Sequence, residues 1–104
     1  MAGAVVSTAA SLLIFVADPT AAAADRGFQL AAVCAACHRL DRPDIGIPSG
    51  AGLDEEGLVR VLRAYRSGER QSQIMRAVAQ SLGNDDIAIV AHYLAALRRE
   101  AKER

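Results

Sequence analysis

Two cysteines and a histidine fall within five residues, Cys34-Ala35-Ala36-Cys37-His38, and these are both cysteines of the 104-residue chain and one of its two histidines. On a helix, residues three apart share a face, so the Cys34 and Cys37 thiols can reach one edge of one flat molecule. His38 follows at once with an imidazole, a common metal ligand. Cys-x-x-Cys-His is the attachment signature of a c-type haem. In that chemistry the two thiols form thioethers with the porphyrin vinyl groups, and one His38 nitrogen becomes the proximal iron ligand. The other nitrogen is expected to donate to a backbone carbonyl, which fixes ring orientation and ligand basicity.

Other chemistry fits less well. A thioredoxin-like Cys-x-x-Cys needs a strand before it, and residues 26–36 read as helix. A zinc site would draw on Cys34, Cys37, His38 and His92, but the adjacent side chains of Cys37 and His38 diverge around a tetrahedral ion. A disulfide between Cys34 and Cys37 would close a very small loop and stabilise little.

A haem iron also has a far side. Met75 is the single methionine besides Met1, and it follows His38 after a helix and a turn, far enough along to wrap round a porphyrin. Core packing is the plain alternative for a methionine. His92, off the apolar face of the last helix, is the rival ligand, and an open iron is the third possibility. Thioether ligation raises the potential and favours electron transfer; an open iron would favour ligand binding or peroxidase chemistry.

The elements that position these residues read as helices throughout. The first is expected over 25 to about 37, capped by Asp25, with Phe28, Ala31, Ala32 and Ala35 on one face. Residues 39–53 read as a loop broken by Pro43, Gly46, Pro48, Gly50 and Gly52, long enough to suggest a functional role on the proximal side of the haem. Asp54 opens a second helix with Leu58, Val61, Leu62 and Tyr65 on its apolar face, and Ser67-Gly68 ends it. A short helical piece over about 72–80 carries Ile74, Met75 and Val78. Gly83-Asn84 starts a last helix with Ile87, Val90, Ala91, Leu94 and Leu97 inward, and residues 101–104 are expected to fray. The fold class is all-α, about four helices around one covalently bound haem.

Residues 1–24 read as a signal peptide rather than as part of the domain. An uncharged run over 4–17 contains Leu12, Leu13, Ile14, Phe15 and Val16, and Ala21 to Ala24 offer cleavage after Ala23 or Ala24. No Lys or Arg precedes the run. At fourteen residues the run falls short of the roughly 20 that span a bilayer. The expected location is periplasmic, without stable membrane insertion.

The remaining domain, residues 25–104, is about 80 residues, and a chain of that size buries only about 60–65% of its unfolded surface. It holds three aromatic residues, Phe28, Tyr65 and Tyr93, and no Trp. A porphyrin would supply the missing apolar surface, so the apoprotein is expected to be largely unfolded.

All 12 Lys and Arg follow residue 24, and of the 12 acids only Asp18 precedes it, so the domain is close to neutral. No nucleic-acid partner is expected. The charge is unevenly spread. Arg60, Arg63, Arg66, Arg70 and Arg76 lie between 57 and 80 against the single acid Glu69. This is either an ordinary solvated helix face or a basic rim that steers an acidic redox partner. The second helix can display Val59 and Tyr65 beside Arg60 and Arg63.

Together these residues resemble class I cytochromes c of the short bacterial periplasmic kind, and among them the cytochrome subunit of flavocytochrome c sulfide dehydrogenase. The likeness covers about residues 25–97. Gly27 is similar to the family's first-helix glycine and Tyr93 to its last-helix aromatic, which pack across each other in that family. Ile47-Pro48-Ser49-Gly50-Ala51-Gly52-Leu53 is similar to the family's I-P-x-L-A-G-L loop, with Gly50 in place of leucine. That likeness implies that the Pro48 carbonyl accepts from His38. Arg66-Ser67-Gly68-Glu69 and Gln73-Ile74-Met75 are similar to the family's S-G-x and I-M segments, which implies Met75 as axial ligand. Gly83-Asn84-Asp85-Asp86-Ile87 is similar to its last-helix start, with Gly83 where serine is usual.

The resemblance implies one haem c held by Cys34 and Cys37, iron ligands His38 and Met75, and Pro48 orienting His38. It implies an electron carrier without a catalytic site of its own. The implied partner is a redox protein, a flavoprotein or molybdoenzyme that oxidises sulfur compounds; a free electron shuttle is the alternative.

Overall fold

The computed structural model describes residues 1–16, 18–38, 40 and 53–103. It contains four helices, α1 (Pro19–Ala35), α2 (Glu55–Ser67), α3 (Gln73–Gln80) and α4 (Asn84–Lys102), and no strand among the described residues. The all-α reading holds.

Local chemistry sets the ends of these helices. Asp54 caps α2 by accepting from the Gly57 amide at 2.8 Å, and Glu55 and Glu56 lie in the first turn, where negative charge suits the helix dipole. Gly68 ends α2 in the left-handed region at φ 84°, a conformation that costs a residue with a Cβ about 1–2 kcal/mol. Ser72 caps α3 by accepting from the Met75 amide at 3.2 Å. Asp85 and Asp86 occupy the first turn of α4, and Arg99 and Lys102 its last.

The first helix departs from the expectation at both ends. It begins at Pro19, six residues before the expected start, because Asp18 caps it. The Asp18 carboxylate accepts from the Thr20 amide at 3.0 Å and from the Thr20 hydroxyl at 2.7 Å. Pro19 then fits the first helical position, and the alanines that follow have the highest helix propensity. It ends at Ala35, so Cys37 and His38 lie in the turn beyond it. α4 likewise continues to Lys102, past the expected fraying point.

α4 is the organising element. It packs against α1 and α2, and α2 also packs against α3. The buried apolar residues are Ile87, Val90, Ala91 and Ala95 of α4, with Ala31 of α1, Leu58 of α2 and Ala79 of α3. Among the described residues only Ile87 and Val90 are large side chains with almost no exposure. The α1 face that enters this core is Gly27, Leu30, Ala31 and Cys34, not the expected set: Phe28, Ala32 and Ala35 are exposed. The closeness of the α1–α4 crossing decides the rotation. A Cβ at Gly27 would stand 2.8 Å from Tyr93 Cβ, so only a glycine fits at the crossing and its neighbours at i+3, i+4 and i+7 turn inward with it. Arg26 locks the same crossing with a two-bonded pair to Asp86, both contacts at 3.1 Å.

Candidate functional site

The Cys34–His38 segment is a tight turn at the C-terminal end of α1. The amides of Cys37 and His38 both donate to the Cys34 carbonyl, at 3.1 and 2.9 Å. This closes the end of the helix with its own backbone and holds the three side chains at a fixed spacing. Neither cysteine is in a disulfide. Cys34 is half-buried, and its thiol donates to the Leu30 carbonyl at 3.6 Å. Burial pushes the Cys34 thiol above its ordinary pKa, so it stays a neutral thiol at neutral pH. Cys37 is exposed.

His38 is half-buried. Its Nδ1 is buried and has no hydrogen-bond partner among the described residues. An unpartnered buried polar atom costs free energy, and it marks where an acceptor or an electrophile belongs. Pro48, expected to supply that acceptor, lies outside the described residues, as does most of the loop expected to wrap the proximal side.

Met75 sits in the first turn of α3, half-buried, with its amide tied to Ser72. α3 is held by α2 and does not touch α1: the two helices make no close Cα approach. The Cys–Cys–His turn and Met75 are thus carried by separate elements, each anchored elsewhere. Val33 beside Cys34, and Ile74 beside Met75, are large apolar side chains left exposed at 62% and 73%.

His92 is off the apolar face of α4 and its side chain is 67% exposed. Its Nδ1 lies 3.1 and 3.2 Å from the two Glu55 carboxylate oxygens, tying α4 to the start of α2. Among the described residues no three His, Cys, Asp or Glu side chains gather as a metal-binding cluster. The four-ligand zinc arrangement of Cys34, Cys37, His38 and His92 is therefore not assembled.

These residues fit a haem c. The thiols are unbridged and three residues apart at a helix end, an imidazole with an unsatisfied nitrogen follows them, and a thioether side chain sits on an element that leaves α1 uncovered. Exposed apolar side chains neighbour both groups in the chain.

A basic groove, which the sequence shows only as a run of arginines, lies along α2. It is lined by Arg60, Arg63, Arg66 and Arg70, with Val61 and Ala64 between them. Val59, expected to be displayed there, packs instead against the core cluster of Leu58, Ala91 and Ala95. No described helix is long and apolar enough to cross a membrane.

No protein-family model matches the chain. Over 75 residues, 69% of its length, the chain is 33% identical to the thiosulfate dehydrogenase electron acceptor of Thiomonas intermedia (strain K12). It spans 35% of the length of that relative.

Proposed function

We propose that this chain carries single electrons through one covalently attached haem c and exchanges them with an enzyme that oxidises a sulfur compound. The observation that carries the reading is the Cys34–His38 turn: two unbridged thiols and a buried, unpartnered imidazole nitrogen at the end of one helix. The similarity to a protein named as the electron acceptor of thiosulfate dehydrogenase supports both the role and the class of donor.

Each residue then has a defined task. Cys34 and Cys37 anchor the group covalently, so that it stays bound in both oxidation states. His38 would supply an imidazole nitrogen to the iron, and the backbone bond from its amide to the Cys34 carbonyl holds the residue at the end of the helix. Met75 would offer the iron a soft thioether sulfur, a ligand type that favours the reduced state. When bound, the haem supplies a one-electron iron couple. Pro48 is the proposed acceptor for the second His38 nitrogen.

The proposal includes export. Cleavage after Ala23 or Ala24 would remove exposed residues from the start of α1 and leave Arg26, Gly27 and Ala31, which hold α1 on α4. Asp25 would then stand at the new helix start.

The test is to mature the chain with a bacterial haem c attachment system and ask whether haem survives denaturing electrophoresis. Covalent haem that disappears in Cys34→Ala/Cys37→Ala, and that is reduced when thiosulfate and a thiosulfate-oxidising dehydrogenase are added, supports the proposal. Haem that washes out, or a covalently loaded protein that no such enzyme reduces, contradicts the attachment or the partner respectively.

A further inference from the structure

Arg66 near the end of α2 and Arg70 in the turn beyond it are held in place without being neutralised. Arg66 donates to the Leu82 carbonyl at 3.2 Å and to Asn84 Oδ1 at 2.7 Å. Arg70 donates to the Tyr65 hydroxyl at 3.0 Å, and its guanidinium lies 5.2 Å from the centre of the Tyr65 ring. The Arg76 guanidinium lies against Gly68. All of these partners are neutral. Among the described residues Arg63, Arg66, Arg70 and Arg76 have no carboxylate partner, and Arg60 has only a 4.0 Å contact with exposed Glu56, an exposed pair of little strength. Arg26, by contrast, is paired with the Asp86 carboxylate.

This contrast bears on binding. A guanidinium already fixed by neutral groups keeps its full charge and loses little entropy on meeting an anion. Between the charges lie Val61 and Ala64, a small apolar floor. Arginine around apolar contact is the composition of a protein interface. The groove is also close to the proposed site in the fold. α2 packs directly on α3, which carries Met75, and Arg70 and Arg76 flank Met75 in the chain. A partner seated on α2 is therefore one helix away from the far-side ligand.

We infer that the groove formed by Arg60, Arg63 and Arg66 of α2 and Arg70 of the turn that follows it is the docking face for an acidic surface of the redox partner. The inference rests on the electron-carrier reading for the identity of the partner, but the charge geometry stands apart from it. Glu69 is the one acid among the lining residues.

The test uses isotope-labelled full-length chain, carried through haem c maturation and scored for covalent haem, with poly-L-glutamate as the acidic surface. Amide signals of residues 60–70 are expected to shift saturably, and the shifts to vanish at high salt, where surface charges are screened. Arg63→Glu/Arg70→Glu should weaken the binding at least about tenfold, with α2 helicity retained by circular dichroism. Arg63→Gln is the milder control and should weaken it by a smaller step. Shifts centred elsewhere, or binding unchanged in both variants, would overturn the inference. Inorganic phosphate or thiosulfate producing the same saturable shifts at equal carboxylate-equivalent concentration would replace it with a small-anion pocket. If binding follows the expected pattern but the chain takes up no covalent haem, the electron-carrier reading fails and the acidic docking face stands.

Discussion

Gly27 of α1 and Tyr93 of α4 cross so closely that a Cβ on Gly27 would stand 2.8 Å from Tyr93 Cβ and 3.0 Å from its ring carbons. The nearest atom belongs to the stem of the tyrosine, close to its backbone, so the neighbour cannot simply rotate away. Gly27→Ala is expected to destabilise the protein. Overpacking costs about 1–3 kcal/mol, and the gain in helix propensity returns about 0.5–1 kcal/mol. A thermal midpoint lowered by about 4–8 °C for each net kcal/mol checks this. Gly27→Val should cost more than Gly27→Ala; equal or raised midpoints would show that the crossing can widen.

The Arg26–Asp86 pair gives this same crossing a pH dependence. The hydrogen bond and charge of Arg26 hold the Asp86 carboxyl below its ordinary pKa. A carboxylate with a lowered folded-state pKa contributes stability that is full above its unfolded value, near 3.8, and is lost as pH falls through the folded value. Denaturant midpoints of the native protein should therefore begin to fall, by a modest step from this pair, below about pH 4. Arg26→Gln should lower the neutral-pH midpoint and flatten that acid limb. An unchanged acid limb in Arg26→Gln would show that other carboxylates carry it.

Ser72 holds the first turn of α3, and its hydroxyl accepts from the amide of Met75 itself. Ser72→Ala is expected to cost about 1 kcal/mol, and to loosen Met75 more than the rest of the fold. In haem-loaded protein the methionine–iron absorption should fade on warming well before the helices melt. Ser72→Asp, which restores the cap, should rescue it. Coincident loss of absorption and helicity would show a purely global effect.

The fold was legible at several points where its cause is local. Asp54 and Gly68 announce the ends of α2 because a cap or a left-handed glycine acts within a few residues, whereas Asp25, expected to cap α1, lies inside it. The start of α1 was harder. Asp18-Pro19 reads equally as the end of an apolar run and as a cap followed by a first-turn proline, and the structure takes the second. The inward face of α1 was not legible either. Both Phe28-Ala31-Ala32-Ala35 and Gly27-Leu30-Ala31-Cys34 satisfy helical spacing, and the choice between them is made by Tyr93 on another helix. At the site, the turn that groups Cys34, Cys37 and His38 is a local motif and shows plainly in the sequence. The anchoring of Arg66 by Leu82 and Asn84 is long-range chemistry that no pattern displays. Pro48 lies outside the described residues.

Among the described residues only Ile87 and Val90 are large side chains almost free of exposure, so the packing of these helices alone gives a thin core. Removing the attachment chemistry by Cys34→Ala/Cys37→Ala should leave a chain with much of its helicity lost and no cooperative melt. A sharp transition in that variant would show that the helices hold together without the haem.

The most direct test is the visible and near-infrared spectrum of the chain matured with haem c, oxidised and then reduced, beside that of Met75→Ala. Methionine–iron ligation gives the oxidised protein a weak far-red band, and the account predicts that band in the native chain, its loss in Met75→Ala, and carbon monoxide binding to the reduced variant alone. A native protein that lacks the band would contradict Met75 ligation, and one that also binds carbon monoxide readily would contradict the electron-carrier reading.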